Sequence, residues 1–327
     1  MIMRLKQLLL SLTAFLLKLP LFGQQDAQYS QYTFNGLYVN TAYAGYKQDF
    51  YIHSFYRSQW TGLDGAPENF SFSVDGAVND KKVGLGLLLS NDVVGAQNLF
   101  SATACYSYRI QVGHNENSRL SFGVGAGFIQ SGIDGSKLDP LRDGDRTVPT
   151  ISNTVLLPSG RLGILYSNEN VFVGFAADNI LTKLFNKDYT DKVPVPQPHY
   201  YFNCGGIIKV NDDTKVKPSV LLKSDFHAPA SLDFNASVLL RERLWIGGAY
   251  RASVPLYSKI APDKPLKKST ALLGLLEFFA NENLRIGYAF DYSLSSLADY
   301  SYGSHEISVG IFLRGSRTTA STNRCYF

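Results

Sequence analysis

The sequence predicts an all-β protein: a transmembrane antiparallel up-and-down β-barrel of about fourteen strands, with short periplasmic turns and long extracellular loops. Three observations lead there. Apolar and polar residues alternate with period two through most of the chain after Asp49, which is the signature of a strand with two different faces. The connections alternate between tight polar turns and longer stretches. The first residues have the form of a secretory signal. Alternation alone fits a β-sandwich equally well. A sandwich gives no reason to gather the long loops at one end, whereas an outer-membrane barrel does.

In chain order, residues 1–24 read as the signal. Arg4 and Lys6 form a basic start, Leu8 to Leu17 an apolar run, and Leu21-Phe-Gly23 before Gln24-Gln25 a cleavage site. The run falls short of the ~20 residues a spanning helix needs. Its removal takes away Arg4, Lys6 and Lys18 and no acid, so the net charge of +4 falls to +1. The rest of the chain shows no clustered basic face of the kind nucleic acid requires.

Residues 25–48 are dense in Tyr, Asn and Gln and do not alternate. They read as a periplasmic arm or as a plug packed below the lumen. Residues 49–313 read as the barrel. Its strands are expected to start near Phe50, Asn69, Val83, Leu99, Arg119, Ser159, Val171, His199, Val216, Ser231, Leu244, Thr270, Leu284 and Ser304. Strand faces are clear in Arg119 to Phe128, where Leu120, Phe122, Val124, Ala126 and Phe128 share one side. They are equally clear in Leu284 to Asp291, where Leu284, Ile286, Tyr288 and Phe290 oppose Arg285, Gly287, Ala289 and Asp291. Lipid outside and a wet lumen inside require apolar-out and polar-or-glycine-in.

The tight turns fall at Asn79 to Lys81, Gly113 to Ser118, Ser167 to Asn170, Asn211 to Lys215, Arg241 to Arg243 and Asn281 to Asn283. The longer loops fall at Trp60 to Glu68, Ser90 to Asn98, Ser131 to Pro158, Asp178 to Pro198, Asp225 to Ser231, Arg251 to Ser269 and Asp291 to Ser304. Aromatics near strand ends, among them Tyr51, Tyr56, Trp60, Tyr106, Tyr108, Tyr200, Tyr201, Tyr250, Tyr288 and Tyr292, are read as interface girdles. Residues 314–327 read as a periplasmic tail.

Little in the chain suggests chemistry. Cys105, Cys204 and Cys325 make an odd count without metal spacing. His53, His114, His199 and His305 are scattered. Asp225 and His227 are the one pair that could serve a hydrolase, and the bland reading is a solvated loop pair. The expectation is a non-catalytic barrel without cofactor or metal. Inward Arg119, Lys223, Glu277 and Arg285 would suit a porin-like channel for small solutes, the alternative function, if they formed a charged constriction.

The opening of the chain resembles one family. Gln31-Tyr-Thr-Phe-Asn35, Val39-Asn-Thr-Ala-Tyr-Ala-Gly45, Tyr56-Arg-Ser-Gln-Trp60 and Gly62-Leu-Asp-Gly-Ala-Pro67 are similar to the start of PorP/SprF proteins, outer-membrane components of type IX secretion and gliding motility. Further matches are Gly248-Ala-Tyr-Arg251, His305-Glu-Ile307 and Asp233 after Ala228-Pro229. The chain departs at Asn35-Gly36 and Asn40-Thr41, where the family more often has Asn-Pro, and at the Arg324-Cys325-Tyr-Phe327 end. The motif residues carried over are Gln31, Tyr32, Phe34, Asn35, Asn40, Ala42, Ala44 and Gly45 in the arm. In the first hairpin they are Tyr56, Arg57, Gln59, Trp60, Gly62, Gly65, Ala66 and Pro67.

The resemblance implies an exported outer-membrane protein that translocates, receives or anchors a secreted cargo, such as the C-terminal domain of a surface adhesin. Its partners would be the lipid bilayer, that cargo and periplasmic lipoprotein rings. Charged or aromatic residues in the long loops are the candidate partner contacts: Asp134, Lys137, Arg142, Asp143, Asp145, Asp188, Tyr189, Asp263 and Lys264.

Overall fold

A computed structural model describes residues 28–113, 118–138, 152–182, 193–256 and 269–313. Their strands are β1 (Phe50–Ser58), β2 (Glu68–Val78), β3 (Val83–Val94), β4 (Gln97–Gln111), β5 (Arg119–Ile133), β6 (Asn153–Ser167), β7 (Val171–Asp178), β8 (His199–Gly206), β9 (Ile208–Lys209), β10 (Thr214–Ser224), β11 (Ala230–Leu240), β12 (Leu244–Val254), β13 (Ser269–Phe279), β14 (Leu284–Ser293) and β15 (Ser304–Leu313). Each pairs antiparallel with its neighbours, and β1 pairs with β15, from Phe50 opposite Leu313 to Ser58 opposite His305. β8 and β9 both pair with β10 and are one strand interrupted at Ile207. The sheet is therefore a closed barrel of fourteen strands. Closure matters in a membrane, because lipid offers no partner to the N–H and C=O groups of an open edge.

The alternation sorts side chains as the sequence leads one to expect. Phe122 and Val124 of β5 face outward, opposite Ile164 and Leu162 of β6. Ile286 and Tyr288 of β14 face outward beside Ile307 and Val309 of β15. The inward positions are polar or small: Ser71, Ser73 and Asp75 on β2, and Asp233, Asn235 and Ser237 on β11.

The short connections lie at one end. Asn79, Asp80 and Lys81 turn with φ of 49°, 51° and 67°, and Arg241 and Glu242 with 47° and 56°. Positive φ at consecutive residues is what lets a tight hairpin follow the strand twist. At the other end, one expected loop is absent. The segment from Ser90 to Asn98 is strand except for the two-residue link Gly95-Ala96, because β3 and β4 keep their ladder up to Val94 opposite Gln97. Polar Ser90, Asn91 and Asp92 resemble a loop by composition, yet a main-chain ladder does not need apolar side chains once it leaves the lipid. Two expected girdle residues also differ. Tyr51 and Tyr201 point inward and are buried, while Tyr56, Tyr106, Tyr108, Tyr200, Tyr250, Tyr288 and Tyr292 are exposed.

The lumen is filled. Residues 28–49 run inside the barrel as an arm made of three short 3-10 turns, Gln31–Thr33, Gly36–Tyr38 and Thr41–Tyr43. Its leading end sits near the long-loop end, where Ser30 meets Asp291 and Glu306. Its trailing end sits near the short turns, where Gly45 meets Asp75, and Phe50 then begins β1. The sequence allowed a plug below the lumen; this arm lies within it.

The apolar core is therefore the contact between arm and wall. Leu37, Ala42, Tyr43 and Ala44 pack with Cys105 and Leu165. Phe34 packs with Leu239, Trp245 and Phe279, and Tyr38 with Phe55 and Leu88.

Candidate functional site: a filled lumen and its outward rim

The arm's asparagines build its local shape. Asn35 Oδ1 accepts from the Leu37 N–H at 3.2 Å, and Asn40 Oδ1 accepts from the Ala42 N–H at 2.9 Å. Each asparagine is extended and caps the helical turn that follows, a position this residue type favours. Gly36 and Thr41 are thus first residues of helical turns, where proline is also well tolerated. The departures from Asn-Pro leave the turns in place. The amide ends of the caps reach the wall: Asn35 Nδ2 donates to Ser73 at 2.9 Å, and Asn40 Nδ2 donates to the Ile164 and Phe175 carbonyls at 3.0 and 3.2 Å.

The wall comes unusually close to the arm on β3 and β5. A Cβ on Gly84 would overlap the Ala44 carbonyl, and one on Gly123 would overlap the Ala42 amide nitrogen. These inward glycines exist because another backbone passes over them. Below them, Ser107 Oγ donates to the Ala44 carbonyl at 2.8 Å, and Arg109 Nη2 donates to the same oxygen. The Gly45 N–H donates to Asp75 at 2.7 Å. Arg161, paired with Asp178 at 3.0 Å, donates to the Tyr38 carbonyl at 2.8 Å. Lys217 donates to the Thr33 carbonyl and the arm's own Lys47 to the Phe34 carbonyl, both at 2.7 Å.

At the leading end, five charged wall residues form one buried network. Arg57 reaches Asp291 at 2.7 Å and Glu306 at 3.3 Å. Arg251 reaches Asp233 through two nitrogens, at 2.9 and 2.8 Å, and Asp291 at 3.4 Å. Two guanidiniums thus face three carboxylates. The arm supplies the missing donors. The Ser30 and Gln31 N–H groups each donate to the Glu306 carboxylate at 2.9 Å, and Ser30 Oγ donates to Asp291 at 2.8 Å. Buried carboxylates are tolerable only when so satisfied.

The outward rim is braced from the first hairpin. Trp60 has φ of 51°, Gly62 of 100° and Gly65 of 71°. The Thr61 N–H donates to the Gly303 carbonyl and the Tyr302 N–H to the Thr61 carbonyl, both at 2.8 Å. The Trp60 N–H donates to Ser304 Oγ at 3.1 Å, and the Gly95 N–H to the Gly65 carbonyl at 3.0 Å. Gly62 follows Thr61, which exchanges bonds with this second loop, and a Cβ on it would strike the Tyr302 ring as well as strain its positive φ. Tyr300 and Tyr302 stand on the platform 70% and 81% exposed.

Against this geometry, residues 21–311 match the family model described as type IX secretion system membrane protein PorP/SprF. The chain belongs to that family. It is therefore a membrane protein of type IX secretion, and its fold is that of an outer-membrane barrel. Among solved structures, the CymD monoaromatic hydrocarbon channel is similar at 12% identity and a TM-score of 0.50, covering 88% of this chain and 94% of that one. The TodX deltaS2S3 mutant monoaromatic hydrocarbon channel gives 11% and 0.45, covering 84% and 92%. A Rhodopseudomonas blastica porin triple mutant gives 9% and 0.35, covering 81% and 99%. At that identity the likeness to CymD speaks to fold alone. No curated protein matches the chain.

The PorP/SprF motif residues fall into two groups in space. Gln31, Tyr32, Phe34, Asn35, Asn40, Ala42, Ala44 and Gly45 line the arm inside the lumen. Tyr56 points outward, Arg57 points into the charge network, and Gln59, Trp60, Gly62, Gly65, Ala66 and Pro67 form the rim loop. Of the candidate loop contacts, Asp134 caps a short turn. Its carboxylate accepts from the Ser136 hydroxyl at 2.7 Å and amide at 3.1 Å, and these bonds hold it below the usual carboxylate range. Lys137 is the last residue of that turn. Arg142, Asp143, Asp145, Asp188, Tyr189, Asp263 and Lys264 lie outside the described residues.

The charged constriction that the alternative channel reading would need does not form from the four residues named for it. Arg285 pairs with Glu277 at 3.3 Å near the short-turn end, Lys223 is near the long-loop end, and Arg119 starts β5. The Asp225–His227 pair is not a dyad. The Asp225 carboxylate accepts from the His227 and Ala228 N–H groups at 2.9 and 2.8 Å, while His227 Nδ1 lies 2.7 Å from the Asp225 carbonyl. Burial raises this carboxyl's pKa, but the Ala228 and His227 amides, with the nearby His199 and the residue's own amide, together hold it below its ordinary value. Among the described residues, no three His, Cys, Asp or Glu gather as a metal site.

Sequence reading assigned no role in holding the arm to Asp75, Arg109, Arg161 and Lys217, and it named Asp233, Arg251 and Glu306 only as family matches and Asp291 only as a residue opposite the apolar face. A signal was there. Each is a charge at an inward position of an alternating strand, and buried charges need partners.

Proposed function

We propose that this PorP/SprF protein is a non-catalytic holder of secreted cargo. It receives or anchors a type IX substrate, of the adhesin C-terminal-domain kind, at the long-loop end of the barrel. The support is the arm: a lumen occupied from the level of Glu306 to the level of Asp75 leaves the braced rim and the long loops as the surface for a partner. Recognition commonly sits on loops held by a rigid scaffold. The rim offers such a scaffold, with strained backbone at Trp60 and two outward tyrosines at Tyr300 and Tyr302. In this reading the loop residues Asp134 and Lys137, with Arg142, Asp143, Asp145, Asp188, Tyr189, Asp263 and Lys264, add to the contact. Residues 1–24 direct export, and periplasmic lipoproteins meet the short-turn end or the tail at 314–327.

A porin-like channel needs a standing aqueous path, and the packed arm counts against one. A hydrolase needs a base oriented toward a nucleophile, and the Asp225 carboxylate is spent on backbone amides instead.

The test is purification from native membranes in mild detergent, followed by mass spectrometry of what accompanies the barrel. The expected partner is a large secreted protein carrying a type IX C-terminal domain. Its yield should fall at least tenfold in a Tyr300→Ala, Tyr302→Ala variant. Recovery of the barrel without any secreted protein, together with stable ion conduction, would overturn this reading in favour of a channel.

A further inference from the structure

The wall addresses the arm largely through its main chain. Glu306 holds two consecutive N–H groups and Asp75 a third, while Lys217, Arg161 and Ser107 donate to carbonyls of Thr33, Tyr38 and Ala44. Main-chain groups are common to all polypeptides. What restricts the occupant is the close backbone approach over Gly84 and Gly123, where the arm carries the fully buried Ala42 and Ala44, and the shortage of positive charge in the Arg57–Arg251 network, which asks for N–H and O–H donors at the leading end.

The fit is also uneven. Against β3 and β5 the arm packs backbone to glycine. Against β8, β10 and β11 it leaves two cavities, the first lined by Tyr32, Val39, Tyr43, Asn203, Lys217 and Ser219, the second by Gln28, Tyr201, Lys223 and Arg251 among others. Asn203 Oδ1, Ser219 Oγ and Asn235 Oδ1 beside these cavities are buried without a hydrogen-bond partner in the protein, as are Thr41 Oγ1 of the arm and Asp75 Oδ1 on β2. A permanent core normally satisfies such atoms. Among the described residues, the arm is joined covalently to the barrel only where Asp49 enters β1.

From these observations we propose that the lumen is a polypeptide-binding channel. The arm is its built-in occupant and can be exchanged for a peptide supplied in trans. The peptide it takes is nearly uncharged, donor-rich at its leading end and small at the positions of Ala42 and Ala44. This goes beyond cargo docking at the rim and stands or falls separately.

The experiment uses the full chain with a protease site placed between Gln48 and Asp49, so that the arm is severed only after folding. The probe is a fluorescent synthetic peptide of residues 28–48. The severed barrel should take up the probe and release its own arm, keeping its β circular-dichroism signature. A probe carrying A42L and A44L should bind at least tenfold more weakly, since both alanines are fully buried and leave no room for leucine. In a Glu306→Ala barrel exchange should be at least tenfold faster, because two N–H partners are lost. The proposal is overturned if the folded, severed barrel never exchanges its arm, or if the substituted probe enters as well as the native one. If severing the arm unfolds the barrel, the arm is a structural core and the proposal is likewise overturned.

Discussion

Arg57 has its guanidinium enclosed between Asp291 at 2.7 Å and Glu306 at 3.3 Å, and it also donates to Ser30 Oγ at 2.8 Å. Removing one member of a buried ion group leaves the others uncompensated, which costs about 3–5 kcal/mol. Arg57→Ala should therefore lower stability by roughly that amount in urea unfolding of the detergent-solubilised barrel. Arg57→Lys should recover only part, because an ammonium cannot fork between two carboxylates. Glu306→Ala added to Arg57→Ala should cost less than the two single losses combined, since the pair acts together. Full additivity would mean the network is no unit. The alternation of β1 placed Arg57 inward by sequence alone. Its partners come from strands more than two hundred residues later, and no local pattern names them.

Elements were legible where alternation was strong and illegible where strands leave the lipid. β6 shows why. A reader takes Pro158 as a strand end and starts the strand at Ser159, because proline lacks the N–H a ladder needs. In the fold β6 begins at Asn153 and carries Pro158 within it, opposite Phe128. Its pairing with β7 extends only to Leu162 opposite Ala177, so at Pro158 the strand has a partner on one side only. The missing N–H costs no ladder bond there. The arm was legible as a segment without alternation, but its depth in the lumen was not, since its lengthwise position is set by glycines on β3 and β5 far along the chain.

Among the loops, the turn from Asp225 to Ala228 makes a pH prediction. Against the opposing effect of burial, its carboxylate is held below the ordinary carboxyl range by the Ala228 and His227 amides with help from His199, so the folded form binds its proton less readily than the unfolded form. Its contribution is complete above the unfolded pKa of about 3.9 and is lost as pH falls through the depressed folded value. Hydrogen exchange of the His227 and Ala228 amides should stay protected from neutral pH down to about 4 and rise, beyond the intrinsic trend, below it. Protection that stays unchanged well below about pH 4 would contradict this account of the turn.

At the scale of the whole molecule, the barrel is closed twice, once around its circumference by β1 with β15 and once along its axis by the arm. The first closure follows from the lipid, which forbids an open edge. The second gives the charged inner wall its partners, and the proposed cargo role rests on the rim that it leaves outside. The direct test is single-channel recording of the intact, full-length protein in a planar bilayer. With the arm seated, no steady conductance should appear, and conduction should begin only after the arm is severed and withdrawn. A stable ohmic pore in the intact protein would contradict the account.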